Sequence, residues 1–126
     1  MLITTIPQYV LGVTNAKVDL TSVNATVLYT APSGADFNTS IVNSILVSED
    51  SGNADTITIT LTNGTTVFSL FKVKAVGANA TIELLTKDLS LQSGEILKVT
   101  AATANRLHVV ASIQEFAIHR TPQSAL

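Results

Sequence analysis

Between Asp55 and Phe71 the chain reads D-T-I-T-I-T-L-T-N-G-T-T-V-F-S-L-F. Thr56, Thr58, Thr60 and Thr62 alternate with Ile57, Ile59 and Leu61 until Asn63-Gly64 breaks the pattern. Alternation with a period of two places one set of side chains in a core and the other toward water, which is a half-buried strand. Asn and Gly both tolerate positive φ, so the dipeptide predicts a tight hairpin turn into a second strand that begins at Val67. The threonine face of this hairpin reads as a neutral, hydrogen-bonding exterior, and Ile57, Ile59 and Leu61 as core.

The same reading places strands on either side. Ala25–Ala31 is rich in β-formers and stops at Pro32-Ser33-Gly34. Thr39–Ser48 follows, with Ile41, Ile45 and Val47 on one parity and Asn43, which would need buried partners, on that parity too. Lys72 and Lys74 mark an edge, where lysines discourage sheet-to-sheet aggregation. Ala80–Leu85 is a further strand, with Ile82 and Leu84 inward. Leu89 and Leu91, then Ser93-Gly94-Glu95, then Leu97, Val99 and Ala101 read as strand, tight turn and strand. Asn105–Phe116 turns Leu107, Val109, Ala111 and Ile113 inward and His108, Ser112 and Gln114 outward. Seven or eight short strands with closely spaced turns and no helical pattern predict an all-β, single antiparallel β-sandwich of jelly-roll or Greek-key type. The sandwich is expected over 23–116. Residues 1–22, interrupted by Pro7 and Gly12, read as an extended N-terminal arm with a short strand at Gln8–Thr14. Residues 117–126 read as a C-terminal tail.

Composition changes this picture in one respect. Of 126 residues, 46% are hydrophobic but only 13% are charged, against about 25% in an ordinary soluble domain. A surface so short of charge fits either a protein part of whose exterior is covered when it works or a compact β-domain with an unusually neutral surface. The net charge is −2 with no basic run, so no nucleic-acid partner is expected. No stretch approaches the ~20 apolar residues of a membrane helix, and M-L-I-T-T-I-P lacks the cationic start of a signal peptide. A soluble, non-membrane protein made in the cytoplasm is therefore expected. The absence of cysteine excludes disulfides and thiolate sites.

Candidate chemistry is sparse. His108 falls on an outward parity and His119 on the tail, with no His-x-His or His-Glu-x-x-His spacing, so no zinc site is expected. Glu49, Asp50 and Asp55 could offer oxygens to calcium, but their order does not match an EF-hand loop; a solvated connection is the simpler reading. Four Asn-x-Ser/Thr triplets begin at Asn24, Asn38, Asn63 and Asn79, each beside a strand end where Asn favours turns. Tyr9 and Tyr29 lie far apart in sequence and there is no Trp, which leaves a sugar-binding face weakly supported. The reading assigns no catalytic residue, cofactor or metal.

One resemblance spans about three-quarters of the chain. L-Y-T-A-P-S-G (28–34), the strand with Ile41, Asn43 and Ile45, S-G-N-A-D (51–55) running into T-I-T-I-T-L, A-N-A-T-I-E-L (78–84), L-S-L-Q-S-G-E-I-L-K-V-T-A (89–101) and H-V-V-A-S-I (108–113) follow one another in that order. In this order Thr26–Phe116 resembles small β-sandwich virion structural proteins of tailed bacteriophages, of the head decoration or cement type. The resemblance implies a non-enzymatic component of a virion that binds the major capsid protein or another virion protein. A tail, collar or fibre-associated protein and a carbohydrate-binding adhesion module are the alternatives. Apolar arms suit such binding because they can add strands to a neighbour's sheet edge or fill its grooves. Ile3, Ile6, Tyr9, Val10 and Leu11, with His119, Arg120 and Leu126 on the tail, are therefore the expected contact residues. Self-association, as a homotrimer by preference, would cover open edges and multiply weak contacts.

Overall fold

The computed structural model describes residues 8–34 and 37–118, and among them all regular structure is β. In chain order the strands are β1 (Gln8–Asp19), β2 (Thr26–Thr30), β3 (Phe37–Glu49), β4 (Asp55–Thr62), β5 (Val67–Val76), β6 (Thr81–Glu83), β7 (Leu89–Leu91), β8 (Ile96–Ala101) and β9 (Leu107–Ile118). One sheet runs β1-β9-β3-β6, with β7 also on β3, and the other runs β2-β8-β4-β5. All pairings are antiparallel.

The pairing is nested. β6 and β7 lie end to end along β3, against Leu46–Ser48 and Ser40–Val42 respectively, and so share one strand position. The pairs are then β4 with β5, β3 with β6 and β7, β2 with β8, and β1 with β9. A ribbon doubled back at the β4–β5 hairpin and rolled into two sheets gives this order, the jelly roll. The threonine–isoleucine hairpin is thus the fold point of the ribbon.

The core lies between the sheets. Val42, Ile45, Val47, Leu107, Val109, Ala111 and Ile113 come from one sheet, and Ile57, Ile59, Leu97, Val99 and Ala101 from the other; all are buried. The alternation read from β4, β8 and β9 is what the structure shows, except that Leu61 and Ile82 are only partly buried. At ~25 cal/mol per Å² of apolar surface removed from water, each large aliphatic side chain here contributes about 1.5–3 kcal/mol.

Four features differ from the sequence expectations. First, Asn43 is exposed. The β3–β9 register shifts between Val42 and Ser44, so Asn43 is the extra residue of a β-bulge, and the inward parity changes from Ser40 and Val42 to Ile45 and Val47. Glu83 fills the bulge: its carboxylate accepts the Ile45 N–H at 2.8 Å, the Leu85 N–H at 3.1 Å and the Ser44 hydroxyl. Removal from water pushes this carboxyl up, but the Ser44 hydroxyl and the backbone N–H groups outweigh that and hold it below the ordinary carboxylate value. Second, Asn63-Gly64 opens a four-residue loop rather than forming a two-residue turn, since Thr62 pairs with Val67. Asn63 Oδ1 accepts the N–H of Thr65 at 3.1 Å and of Thr66 at 3.0 Å, while Gly64 takes φ +102°. Third, the expected tight turn at Gly94 (φ +77°) is present, but β7 and β8 belong to different sheets, so it crosses the sandwich, which the sequence pattern did not indicate. Fourth, the short strand expected at Gln8–Thr14 extends to Asp19. Its partner β9 is long enough to pair it along its whole length, from Gln8↔Ile118 to Asp19↔His108.

Candidate interaction surface

A rolled ribbon leaves two open flanks, each bounded by an edge strand of either sheet. On one flank the edges are β1 and β2; on the other they are β5 and the β6–β7 line. An edge strand presents unpaired N–H and C=O groups and can template another strand unless it is bulged, charged or covered.

β1 is lightly protected. After a bulge between Val10 and Gly12 its register runs without a break to Asp19. Val13 is 71% exposed on this segment, and Lys17 and Asp19 are its charged side chains. β5 is guarded in its second half only. Two register shifts interrupt it between the partners Ile57 and Thr60. Val73 sits there with φ +52°, uncommon for a β-branched residue, and its N–H donates to Thr58 Oγ1 at 3.0 Å. Lys72 and Lys74 are exposed beside it, at the edge their sequence pattern predicts. The first half, Val67–Phe71, carries exposed Val67 and Phe68.

Between β5 and the segment that joins β6 to β7 the sandwich is open. A cleft of about 430 Å³ is lined by Leu70, Phe71, Leu84, Leu85 and Leu89, with Lys74, Thr86, Lys87 and Asp88 also contributing. Its origin is local. Phe71 pairs with Ile59 and Phe68 with Leu61, so both point to the core side of their sheet. Opposite them the β6–β7 line is broken by Leu84–Asp88, which leaves the inner face of β5 incompletely roofed.

The remaining polar groups are structural. Glu49 is 2% exposed and ends β3. Its carboxylate accepts the Ser51 N–H at 2.7 Å, the Asn79 N–H at 2.9 Å, the Gly52 N–H at 3.1 Å and the Ser51 hydroxyl. Removal from water pushes this carboxyl up, but the Ser51 hydroxyl and the Asn79, Ser51 and Gly52 N–H groups outweigh it, and its pKa falls to about 2. Asp55 accepts the Thr103 N–H at 3.1 Å. Asp50 lies 3.5 Å from His108 Nδ1, whose Nε2 is 3.2 Å from Asp19. The acidic group therefore staples three loops at one end of the sandwich, and among the described residues no cluster of His, Asp or Glu has metal-binding geometry. At the other end the Tyr29 hydroxyl donates to Glu115, and the Ser40 hydroxyl lies 2.8 Å from the phenol oxygen. Burial, then the Glu115 carboxylate, push the Tyr29 phenol up to about 12.

Of the expected contact residues, Tyr9, Val10 and Leu11 lie on β1, with Leu11 at its bulge. Ile3, Ile6, His119, Arg120 and Leu126 lie outside the described residues. Gln8 pairs with Ile118, so both chain ends leave the sheet at the same corner. The cleft was not anticipated from sequence. The signal for it is V-F-S-L-F (67–71), where apolar residues occupy both parities instead of one.

No protein-family model matches the chain, and no curated protein matches it. Among the solved structures similar to it are two that are each described as a pentameric capsid protein isolated from metagenomic phage sequences. One has a TM-score of 0.49 and 19% identity over 84% of this chain and 64% of its own. The other has a TM-score of 0.48 and 20% identity over 84% of this chain and 61% of its own. The chain spans less than two-thirds of the length of either.

Proposed function

We propose that this protein is a non-enzymatic structural component of a phage virion, and specifically a decoration or cement protein that binds the assembled shell. The observation that carries the reading is the pair of open flanks: a lightly guarded β1 edge on one side, and exposed Val67 and Phe68 beside an apolar cleft on the other. Open edges and apolar grooves on a sandwich of low charge are sites for strand addition and side-chain docking. The motif order shared with virion β-sandwich proteins supports the same reading. Binding of this kind stabilises a shell by mass action, since a ligand that holds only the assembled form raises the cost of its dissociation.

In this proposal the N-terminal arm, with Ile3, Ile6, Tyr9, Val10 and Leu11, and the tail with His119, Arg120 and Leu126 are contact segments. The working state is a closed homo-oligomer, a trimer as the sequence reading prefers; the pentamer described for the two similar structures is the competing stoichiometry. The protein is synthesised in the host cytoplasm and retained in the virion. Purified protein added to capsids stripped of it should rebind to saturation and raise the temperature at which they release DNA. Capsids that bind none, or bind it with no change in that temperature, would contradict the cement function.

A further inference from the structure

We propose that residues 1–7 of one copy fill the cleft between β5 and the Leu84–Leu89 segment of a second copy. This deepens the reading of the N-terminal arm as a contact segment by naming what it contacts.

The cleft needs an apolar occupant. Leu70, Phe71, Leu85 and Leu89 are only partly buried, so their outer surfaces meet water. Its charged side chains are Lys74, Lys87 and Asp88, a net cationic set. Two segments of the chain lie beyond the described strands. Residues 119–126, H-R-T-P-Q-S-A-L, are mostly polar, with Leu126 as their one large apolar side chain. Residues 1–7, M-L-I-T-T-I-P, include Met1, Leu2, Ile3 and Ile6 and no charged side chain. The arm has the matching chemistry and the tail does not.

Reach decides between the same copy and a second one. The arm enters β1 at Gln8, on the sheet edge opposite the β6–β7 line. Three strand spacings separate these edges, about 14 Å at ~4.8 Å each. Along the strands, Leu89 is level with Val42, Ile113 and Thr14, six residues from Gln8, or about 20 Å at ~3.3 Å per residue. The direct distance is therefore about 25 Å, before the chain turns from the sheet edge into the space between sheets. Seven extended residues span at most about 25 Å. An arm spent on reaching its own cleft has no residue left to seat there. A neighbour set beside the β1 flank receives the arm without that detour. The contact joins unlike surfaces, so repeating it generates a ring if the rotation closes.

The chain has no cysteine, which makes disulfide trapping clean. Ile3→Cys combined with Leu85→Cys, oxidised in purified protein with no capsid present, should give a ladder of covalent oligomers whose top rung is the ring size. Lys87→Cys, at an exposed position, replaces Leu85→Cys should the latter cost the fold. In parallel, native mass spectrometry of the cysteine-free protein should show the same closed oligomer. Ile3→Asp with Ile6→Asp should weaken that association by at least about 100-fold while leaving the far-ultraviolet circular dichroism unchanged. A cross-link confined to single copies, no cross-link, a cross-link to Ala125→Cys in preference to Ile3→Cys, or association unaffected by the aspartates would each overturn the proposal. Because no particle is involved, such a failure leaves capsid binding itself untouched.

Discussion

Two buried polar residues act as ties that the apolar core cannot supply. Glu49 gathers donors from the loop after β3 and from Asn79, and its folded-state pKa is about 2 against an ordinary 4.5. A depressed carboxyl pKa contributes stability that is present above about pH 4.5 and is lost as pH falls through 2, because the unfolded chain binds the proton first. Thermal melts between pH 6 and 2 should therefore show the wild type losing stability toward Glu49→Gln as the acid end is approached. A constant difference between the two across that range would contradict the assignment. Tyr29 ties β2 to the opposite sheet through Ser40 and Glu115. Tyr29→Phe should cost about 1–2 kcal/mol in urea unfolding, since it strands buried Ser40 and part-buried Glu115. Neither tie was legible in the sequence. Glu49 reads as one acid of a polar loop, and nothing local marks Tyr29 as facing residues eleven and eighty-six positions away.

At the scale of elements, alternation was readable wherever a strand is regular, and failed where a bulge shifts its phase. β4, β8 and β9 keep one parity through their cores, and their inward residues follow directly from the pattern. In β3 the single extra residue Asn43 moves the core set from even to odd numbers, which no count of hydrophobic positions reveals. Ile59→Asp should unfold the domain, because the site is fully buried at the centre of β4; a soluble product with a native spectrum would contradict the packing. Val73 offers the converse test. Its left-handed backbone conformation is unfavourable for a β-branched residue by about 1 kcal/mol or more, and its side chain is exposed. Val73→Asn should leave chemical stability unchanged or raise it by about 0.5–1 kcal/mol. A clear loss would mean that the valine has contacts the free monomer does not show.

For the whole molecule, the double-backed ribbon sets its centre apart from its ends. The β4–β5 hairpin is where the ribbon turns, while Gln8 and Ile118, the first and last described residues, pair at one corner of the β1–β9 ladder. The β-sandwich was legible from strand count and turn spacing; the nested pairing was not, because partners such as β1 and β9 are separated by nearly the whole chain. The same topology sets how the arm should be cut. Removing residues 1–15 would strip most of β1 from β9 and damage the sheet it is meant to leave intact. Removing residues 1–7 spares every described pairing, so it should preserve the far-ultraviolet circular dichroism of the folded sandwich while, in the proposed virion role, lowering occupancy on capsids.

The central claim, that this chain is a structural component of the virion shell, is tested most directly by its copy number in purified particles. Quantitative mass spectrometry of density-purified virions of a phage whose genome carries this sequence should find hundreds of copies, in a simple ratio to the major capsid protein and retained on DNA-free heads. Its absence from washed particles, or a handful of copies that remain with isolated tails, would contradict the account.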